Sequence, residues 1–201
     1  MVSLEIVIMK ILNRIYNFLW SILNHIILAI RGIKYGKKVI IHGHLGLRKE
    51  GVIEIGNNVY ISSGIDMNPL CARNNGYLCA EKDAKLIIGD NCAMSSPRIW
   101  AHDEIIIGNH VMMGGNVTIV DSDCHSLNYL HRRDIDVDMK NKVSKPVHIE
   151  DDAFIGMNTT ILKGVTIGAR AVIGAGSVVT SCLPADCIAA GNPCKVIKRK
   201  K

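Results

Sequence analysis

The chain predicts an all-β solenoid, and three observations carry that prediction. In the C-terminal third, six aliphatic residues fall at one fixed interval: Ile149, Ile155, Ile161, Ile167, Ile173 and Val179. Small or apolar residues ride four positions behind them, at Ala153, Thr159, Val165, Ala171, Ser177 and Leu183. A helix repeats every 3.6 residues and a strand every 2, so neither sustains a strict period of six. A hexapeptide β-helix does: each hexad is a short strand and a turn, and three hexads close one triangular coil. The recurring aliphatic points into the prism and stacks on its counterparts, so the core is continuous through nearest-neighbour contacts.

The second observation is that the period returns. Ile41, Leu47, Ile53, Val59, Ile65 and Cys71 keep it near the start, and Ile107, Met113 and Ile119 keep it in the middle, trailed by Val111 and Val117. The third is a recurring corner phrase, Ile-Gly and two further residues, at Ile55-Gly56-Asn57-Asn58, Ile88-Gly89-Asp90-Asn91, Ile107-Gly108-Asn109-His110 and Ile167-Gly168-Ala169-Arg170. Gly and Asn tolerate the left-handed backbone angles that tight corners require.

Composition agrees. Apolar residues make up 48% of the 201-residue chain but aromatics only 4%, as expected of a narrow prism filled by Ile and Val. The net charge of +6 is concentrated at the ends. Lys10, Arg14, Arg31, Lys34, Lys37 and Lys38 load one, and Lys195, Lys198, Arg199, Lys200 and Lys201 the other. Such clusters suit a solvated tail, an anionic membrane surface or a phosphorylated ligand. Without interleaved aromatics they do not make a nucleic-acid site. The seven cysteines form no Cys-x-x-Cys pair, which fits small buried hydrophobes in a reducing compartment. Cys92 takes an inward hexad position and Cys71 is expected to; Cys124 differs in adjoining the candidate catalytic residue.

Residues 1–35 are different material. Between Ile15 and Ile30 there is no charge, yet Asn17, Ser21, Asn24 and His25 interrupt the apolar run. With Lys10, Asn13 and Arg14 they fall at three- and four-residue steps, a polar stripe along a helix. The stretch is too short and too striped for a membrane span, and no small-residue cleavage site follows it. Two readings stay open. The helix lies in a membrane interface with Phe18, Trp20 and the Leu/Ile face buried, or it caps the open end of the solenoid and packs on another subunit. The second unit, 36–201, carries the solenoid from about Val39 to Leu183. Its period lapses at residues 66–86, from Asp66 to Leu86, and more completely in an inserted loop at residues 120–146. Insertions in a solenoid extrude from one face and commonly build its ligand site.

That loop opens with Asp121-Ser-Asp-Cys-His125-Ser126, and Arg132 and Arg133 follow. A neutral imidazole can take a proton from a hydroxyl as its oxygen attacks a carbonyl. Asp121, Asp123 and His125 alternate, so in an extended segment they share one face, and either carboxylate would fix the imidazole tautomer. From spacing alone, a satisfied loop histidine and an Asp-x-Asp-x-His metal site remain alternatives.

The loop segment, the re-entry at Val147-to-Ile155, and the run from Ile173-Gly-Ala-Gly-Ser-Val-Val-Thr180 through Gly191-Asn-Pro-Cys-Lys-Val-Ile-Lys198 resemble the hexapeptide-repeat acyltransferases. The similarity covers roughly residues 39 to 198 and extends to the maltose and galactoside O-acetyltransferases and the acetyltransferases of capsule and lipopolysaccharide sugars. It implies a left-handed parallel β-helix, against the usual crossover rule. It also implies a homotrimer with acetyl-CoA as co-substrate in the groove between neighbouring solenoids, and no metal. By the resemblance His125 is the catalytic base. Ala175 meets the pantetheine arm, Thr180 and Ser181 make contacts further along, and Lys195 and Lys198 reach the CoA phosphates as point charges where arginine is usual. Met157 stands where a relative has a polar residue and Phe154 where Trp is usual, so backbone contacts are expected there. Ser95 aligns near an Asn that places the acceptor hydroxyl, and Arg132 and Arg133 are candidate acceptor contacts.

The expected activity is transfer of acetyl to a sugar hydroxyl in cell-surface polysaccharide synthesis, in the cytoplasm, with the helix pointing to a lipid-linked glycan at the inner membrane face. A γ-type carbonic anhydrase would share the scaffold, but His125 and His131 lack that family's spacing. A serine acetyltransferase would carry a long helical N-terminal domain. A structural hexapeptide protein would need neither the loop histidine nor the basic end.

Overall fold

The computed structural model describes residues 4–64, 67–71 and 74–199. The expected hexad residue Ile65, and Asp66, Lys200 and Lys201, lie outside them, as does the side chain of Lys10. A 27-residue helix, α1 (Leu4–Ile30), leads into a solenoid whose short strands wind in turn onto three parallel faces. The first face runs from Lys34–Tyr35 to Thr166–Ile167, the second from Ile40–His42 to Lys195–Arg199, and the third from Gly46–Lys49 to Val178–Val179. All pairings between coils are parallel, and only the closing strand Lys195–Arg199 turns back, antiparallel to Cys187–Ala190. The six aliphatics from Ile149 to Val179 and all six trailing residues are buried, as the period requires.

The strict hexad is a property of the last coils only. There Ile155 lies opposite Ile173 and Ile161 opposite Val179, eighteen positions on. In the earlier coils the partners lie nineteen to twenty-one apart, as with Ile41 and Ile61, Leu86 and Ile105 or Leu78 and Ile99, and thirty-one to thirty-three apart across the first excursion, as with Leu47 and Leu78 or Ile53 and Leu86. Four-residue strands there turn two side chains inward, as with Ile53 and Ile55 or Ile105 and Ile107. Val59 is therefore a buried corner residue, and Ile61 takes the strand position opposite Ile41. Cys92 packs in the prism core, whereas Cys71 is buried within the first excursion, in a short 3₁₀ turn.

The corner phrase divides its labour differently from expectation. Its fourth residue takes the left-handed angle: Asn58, Asn91, His110 and Arg170 have φ between 55° and 59°. Its glycine answers to coil-on-coil contact instead. A Cβ on Gly56 would come within 2.7 Å of the Gly89 carbonyl carbon, and one on Gly89 within 2.6 Å of the Gly108 oxygen. Side-chain oxygens then satisfy the corner amides from coil to coil. Asn57 accepts from Lys37 N–H (2.9 Å), Asp90 from Asn57 N–H (2.6 Å), Asn109 from Asp90 N–H (2.9 Å) and Asp151 from Asn109 N–H (2.7 Å).

Helix α1 is turned inside out relative to a water-facing amphipathic helix. Its polar stripe meets the protein. Asn24 is fully buried, donates to Gly43 O (2.8 Å) and accepts from Leu45 N–H (3.4 Å). His25 bonds Ser21 O and, 3.1 Å away, Val39 O, and Leu28 joins the core. Trp20 lies on the His44 ring at 4.5 Å, so it faces the solenoid, as the capping reading requires and the membrane-interface reading does not. The outward face is apolar: Ile11, Ile15, Phe18, Leu19, Ile22, Ile26 and Ile30 are exposed, Phe18 by 66% and Ile30 by 79%. Among the described residues no helix is long and apolar enough to cross a membrane. If the Asn24 seam holds the cap, Asn24→Leu leaves Gly43 O and Leu45 N–H buried without partners and lowers stability by about 1–3 kcal/mol in urea denaturation. An unchanged midpoint would show that the seam is not what seats the helix.

Candidate active site

The inserted loop leaves the prism after the third-face strand Thr118–Val120 and is pinned at its root. Asp121 is fully buried and does not reach His125. Its two oxygens accept from His102 N–H (2.7 Å) and Asp103 N–H (2.8 Å) in the preceding coil. Burial pushes the Asp121 carboxyl up, and those amides pull it back. Lys145 N–H donates to Asp121 O (2.8 Å) and Asp123 N–H to Val143 O (3.0 Å), so the two arms of the loop pair before it opens. Asp123 also turns away from the imidazole, standing 3.1 Å from Lys163 Nζ without the alignment of a hydrogen bond.

Above this stem Cys124 takes φ 63°, a strained angle for a residue with a Cβ, and the turn carries His125 clear of the prism. The carboxylate that holds the imidazole is Asp138. Its Oδ2 lies 2.6 Å from His125 Nδ1 and its Oδ1 accepts from Ser126 N–H at 2.7 Å. Asp138 is only 3% exposed, while the His125 side chain is 60% exposed and its Nε2 is uncommitted. The hydrogen bond from His125, then that from Ser126, holds the Asp138 carboxyl below its usual range. A carboxylate lowered in this way stabilises the folded loop at neutral pH and loses that contribution as pH falls through its folded value. Asp138 comes from a short helix, α2 (Ile135–Lys140), started by Asp134, whose side chain accepts from Asp136 N–H and Val137 N–H.

The other loop candidates serve the loop itself. Arg132 donates to Ser126 O (2.6 Å), Arg133 lies over the Tyr129 ring, and His131 is held by Ser126 and Asn128. Ser95 sits on the second face bonded to Ser62, and within one chain it is not brought to His125. Cys124 Sγ is 3.8 Å from His102 Nε2, but burial raises the thiol, and His102, lowered by burial and then by Lys142, accepts from Lys142 Nζ. That pair does not make an activated thiolate.

The residues expected at the co-substrate divide between two corners. Thr180 and Ser181 follow the third face, and Thr180 lines a cavity of about 380 Å³ with Asp123, Lys145 and Lys163, beside the loop root. Met157 and Ala175 lie at the other edge of the third face, on adjacent coils, with Gly176 N–H bonded to Met157 O at 2.8 Å. Met157 N–H and Ala175 N–H have no acceptor among the described residues. Lys195 and Lys198 are exposed on the closing strand without an ion-pair partner among the described residues. No group of three metal-ligating side chains occurs among the described residues.

Residues 146–181 match the family described as bacterial transferase hexapeptide, six repeats. The solenoid is a left-handed parallel β-helix of hexapeptide repeats. A galactoside O-acetyltransferase of Lactococcus lactis is 40% identical over 100 residues, 48% of this chain and 44% of that protein. A putative acetyltransferase of Schizosaccharomyces pombe is 41% identical over 95 residues, 47% of this chain and 43% of that one. The chain thus spans less than half the length of these curated relatives. Among solved structures, a maltose O-acetyltransferase from Clostridium difficile is 26% identical with a TM-score of 0.53, over 84% of this chain and 70% of that one. An N-acyltransferase from Bacillus cereus, solved with dTDP and 3-hydroxybutyryl-CoA, shares the fold at 21% identity and TM-score 0.68, over 87% of each chain. The family resemblance read from the loop and the terminal run is upheld by these relatives.

Proposed function

We propose that the protein is an O-acetyltransferase that moves acetyl from acetyl-CoA to a sugar hydroxyl of a cell-surface polysaccharide precursor. The observation that carries this reading is an exposed imidazole whose Nδ1 is fixed by a buried carboxylate at 2.6 Å, leaving Nε2 free. Nδ1 keeps its proton against Asp138, so Nε2 is the basic nitrogen. It accepts the proton of the acceptor hydroxyl as that oxygen attacks the thioester carbonyl, and it returns the proton to the departing sulfur when the carbon–sulfur bond breaks. Backbone N–H groups on an adjacent coil hold the tetrahedral oxyanion; the unpaired amides of Met157 and Ala175 suit that task. Both partners are held in one groove, so no acyl-enzyme is required. Lys195 and Lys198, free of acidic partners, suit the CoA phosphates. The absence of a disulfide among the seven cysteines accords with a reducing compartment.

Removing the base while sparing the co-substrate site tests this reading. His125→Ala lowers kcat by about 100-fold or more with acetyl-CoA affinity retained. Asp138→Asn, which lets the tautomer reverse, lowers it on the order of 10-fold or more, and Cys124→Ser changes little. Near-normal turnover in His125→Ala removes the assignment, and a collapse in Cys124→Ser would point to an acyl-cysteine route.

The division of Met157 and Ala175 from Thr180, Ser181 and His125 across the width of the third face supports a homotrimer. Two prisms set edge to edge bring one chain's corner against the other's, and a rotation that closes after three copies makes three such grooves. Sedimentation should give three times the mass of one chain. A monomer that still turns over would show that one prism suffices.

The outward face of α1 supports peripheral attachment at the cytoplasmic membrane face, near a lipid-linked acceptor. Asn24 and His25 are already bonded to the solenoid, and exposed Arg14, Arg31, Lys37 and Lys38 flank the apolar face, where they would meet anionic headgroups. Phe18→Glu with Ile22→Glu charges that face without touching the Asn24 seam. The double variant should stay folded and active on a soluble acceptor but no longer float with anionic vesicles. Wild-type protein that ignores such vesicles, or a variant that changes only its mass in solution, would assign the face to subunit packing.

A further inference from the structure

The third face carries a cavity of about 500 Å³ that runs from the N-terminal coils up to Cys124, the residue before His125. The strand register fixes what lines its floor. One row across the face is Tyr77, Arg98 and Thr118, and the next is Arg48, Cys79, Trp100 and Val120. Outward positions on a β-solenoid are ordinarily polar, so an exposed Trp in the middle of such a face calls for a reason.

The Trp100 ring is held in place. Its Nε1–H donates to Glu81 Oε1 (2.8 Å), and its ring lies 4.6 Å from that of His102. Glu81 Oε2 accepts from Arg48 (2.9 Å), which also bonds Glu50 (3.0 Å), so the Arg48 charge is already paired with two carboxylates. Tyr77 leans over the bare backbone of Gly46, where a Cβ would overlap its ring. Arg98, between Tyr77 and Thr118 and beside Trp100, has no acidic partner among the described residues. The floor therefore offers a preset aromatic platform and one unspent guanidinium, a few residues from the candidate base.

We infer that this cavity seats the acceptor, and that the acceptor is a sugar carrying an acidic group, a carboxylate or a phosphate. The apolar side of the pyranose ring lies on Trp100, and the anionic group pairs with Arg98, whose planar fork matches either anion in bidentate fashion. A neutral acceptor would make no use of the exposed Arg98 charge. The inference rests on the acetyltransferase reading, and its test separates the two.

The full-length protein is presented with neutral, uronate-bearing and phosphate-bearing oligosaccharides, and direct binding is measured beside acetyl transfer from acetyl-CoA. Uronate or phosphate glycans should bind and accept acetyl, and the arm that responds names the anion. Arg98→Gln should raise KM for that glycan at least 10-fold with kcat and acetyl-CoA affinity nearly unchanged, Arg98→Lys should recover part of the loss, and Trp100→Ala should raise KM for every acceptor. Binding that depends on Arg98 with no transfer to any glycan would keep the site and discard the acetyltransferase reading. Transfer to neutral glycans with KM indifferent to Arg98→Gln would discard the site and keep the enzyme. Failure of every glycan to bind, or dissociation of the assembly by Arg98→Gln in place of a KM effect, would overturn the inference and assign the face to contact between copies of the chain.

Discussion

Everything in this fold answers to the spacing between coils. Adjacent strands lie about 4.8 Å apart, so each corner of the prism must turn through 120° under a copy of itself at that distance. No side chain fits between two corners, which is why Gly56, Gly89 and Gly108 stand one above another with the next backbone where a Cβ would be. The corner amides cannot join a strand ladder and would be left unbonded. The series Asn57, Asp90, Asn109 and Asp151 supplies their acceptors, each from the coil above the amide it serves. The same spacing lets one residue per strand suffice for the core in the last coils, where the period is strict. In the earlier coils, where strands such as Glu104–Ile107 turn two residues inward, it tolerates longer turns.

A scaffold so repetitive has no natural place for chemistry, and the inserted loop provides one. Its stem is bonded into the coil stack through Asp121, so the segment that bears His125 starts from a fixed point despite being an excursion. The buried Asp138 then ties the imidazole and the following backbone amide into one unit. Each part has a separate cost: the left-handed angle at Cys124 and the burial of two carboxylates. The hydrogen bonds to Asp121 and Asp138 offset the burial, and the paired stem offsets the strain. A carboxylate fixed this way orients the ring without crowding Nε2.

The sequence made the solenoid legible because its signal is redundant: a stacking position repeats in every coil, and Ile149 to Val179 restate it six times. Loop carboxylates carry no such redundancy. Asp121 and Asp123 alternate with His125 and look like its partners, but the chain bends at Cys124 and sends them elsewhere, one into the coil stack and one to Lys163. Asp138 lies 13 residues beyond His125, one of five acids between residues 121 and 146, and no spacing rule singles it out. The one available signal was Asp134, a helix-capping residue before Ile135-Asp-Val-Asp-Met-Lys140, which marks a helical turn able to fold back. The pocket around Trp100 was invisible for a related reason. Its rows join residues twenty to thirty-one positions apart, and the coils that bring them together do not share one length.

Helix α1 shows that a polar stripe does not name its own partner. The stripe of Asn17, Ser21, Asn24 and His25 was real, but a polar stripe says only that one side of a helix is polar, not that water lies there. The open end of a β-prism presents unpaired carbonyls and amides, such as Gly43 O, Leu45 N–H and Val39 O, and an apolar cap would leave them buried without partners. A polar seam around Leu28 is therefore the chemically consistent lid. The consequence is forced by geometry: once the polar residues are spent on the prism, the remaining apolar positions can only point away from it. A chain that gained only an end cap from this helix would have replaced Phe18, Ile22 and Ile26 at no cost to the seam. Their presence on a face flanked by Arg14 and Arg31 is the observation behind the proposed membrane attachment, since an apolar surface with an anionic edge would match both features.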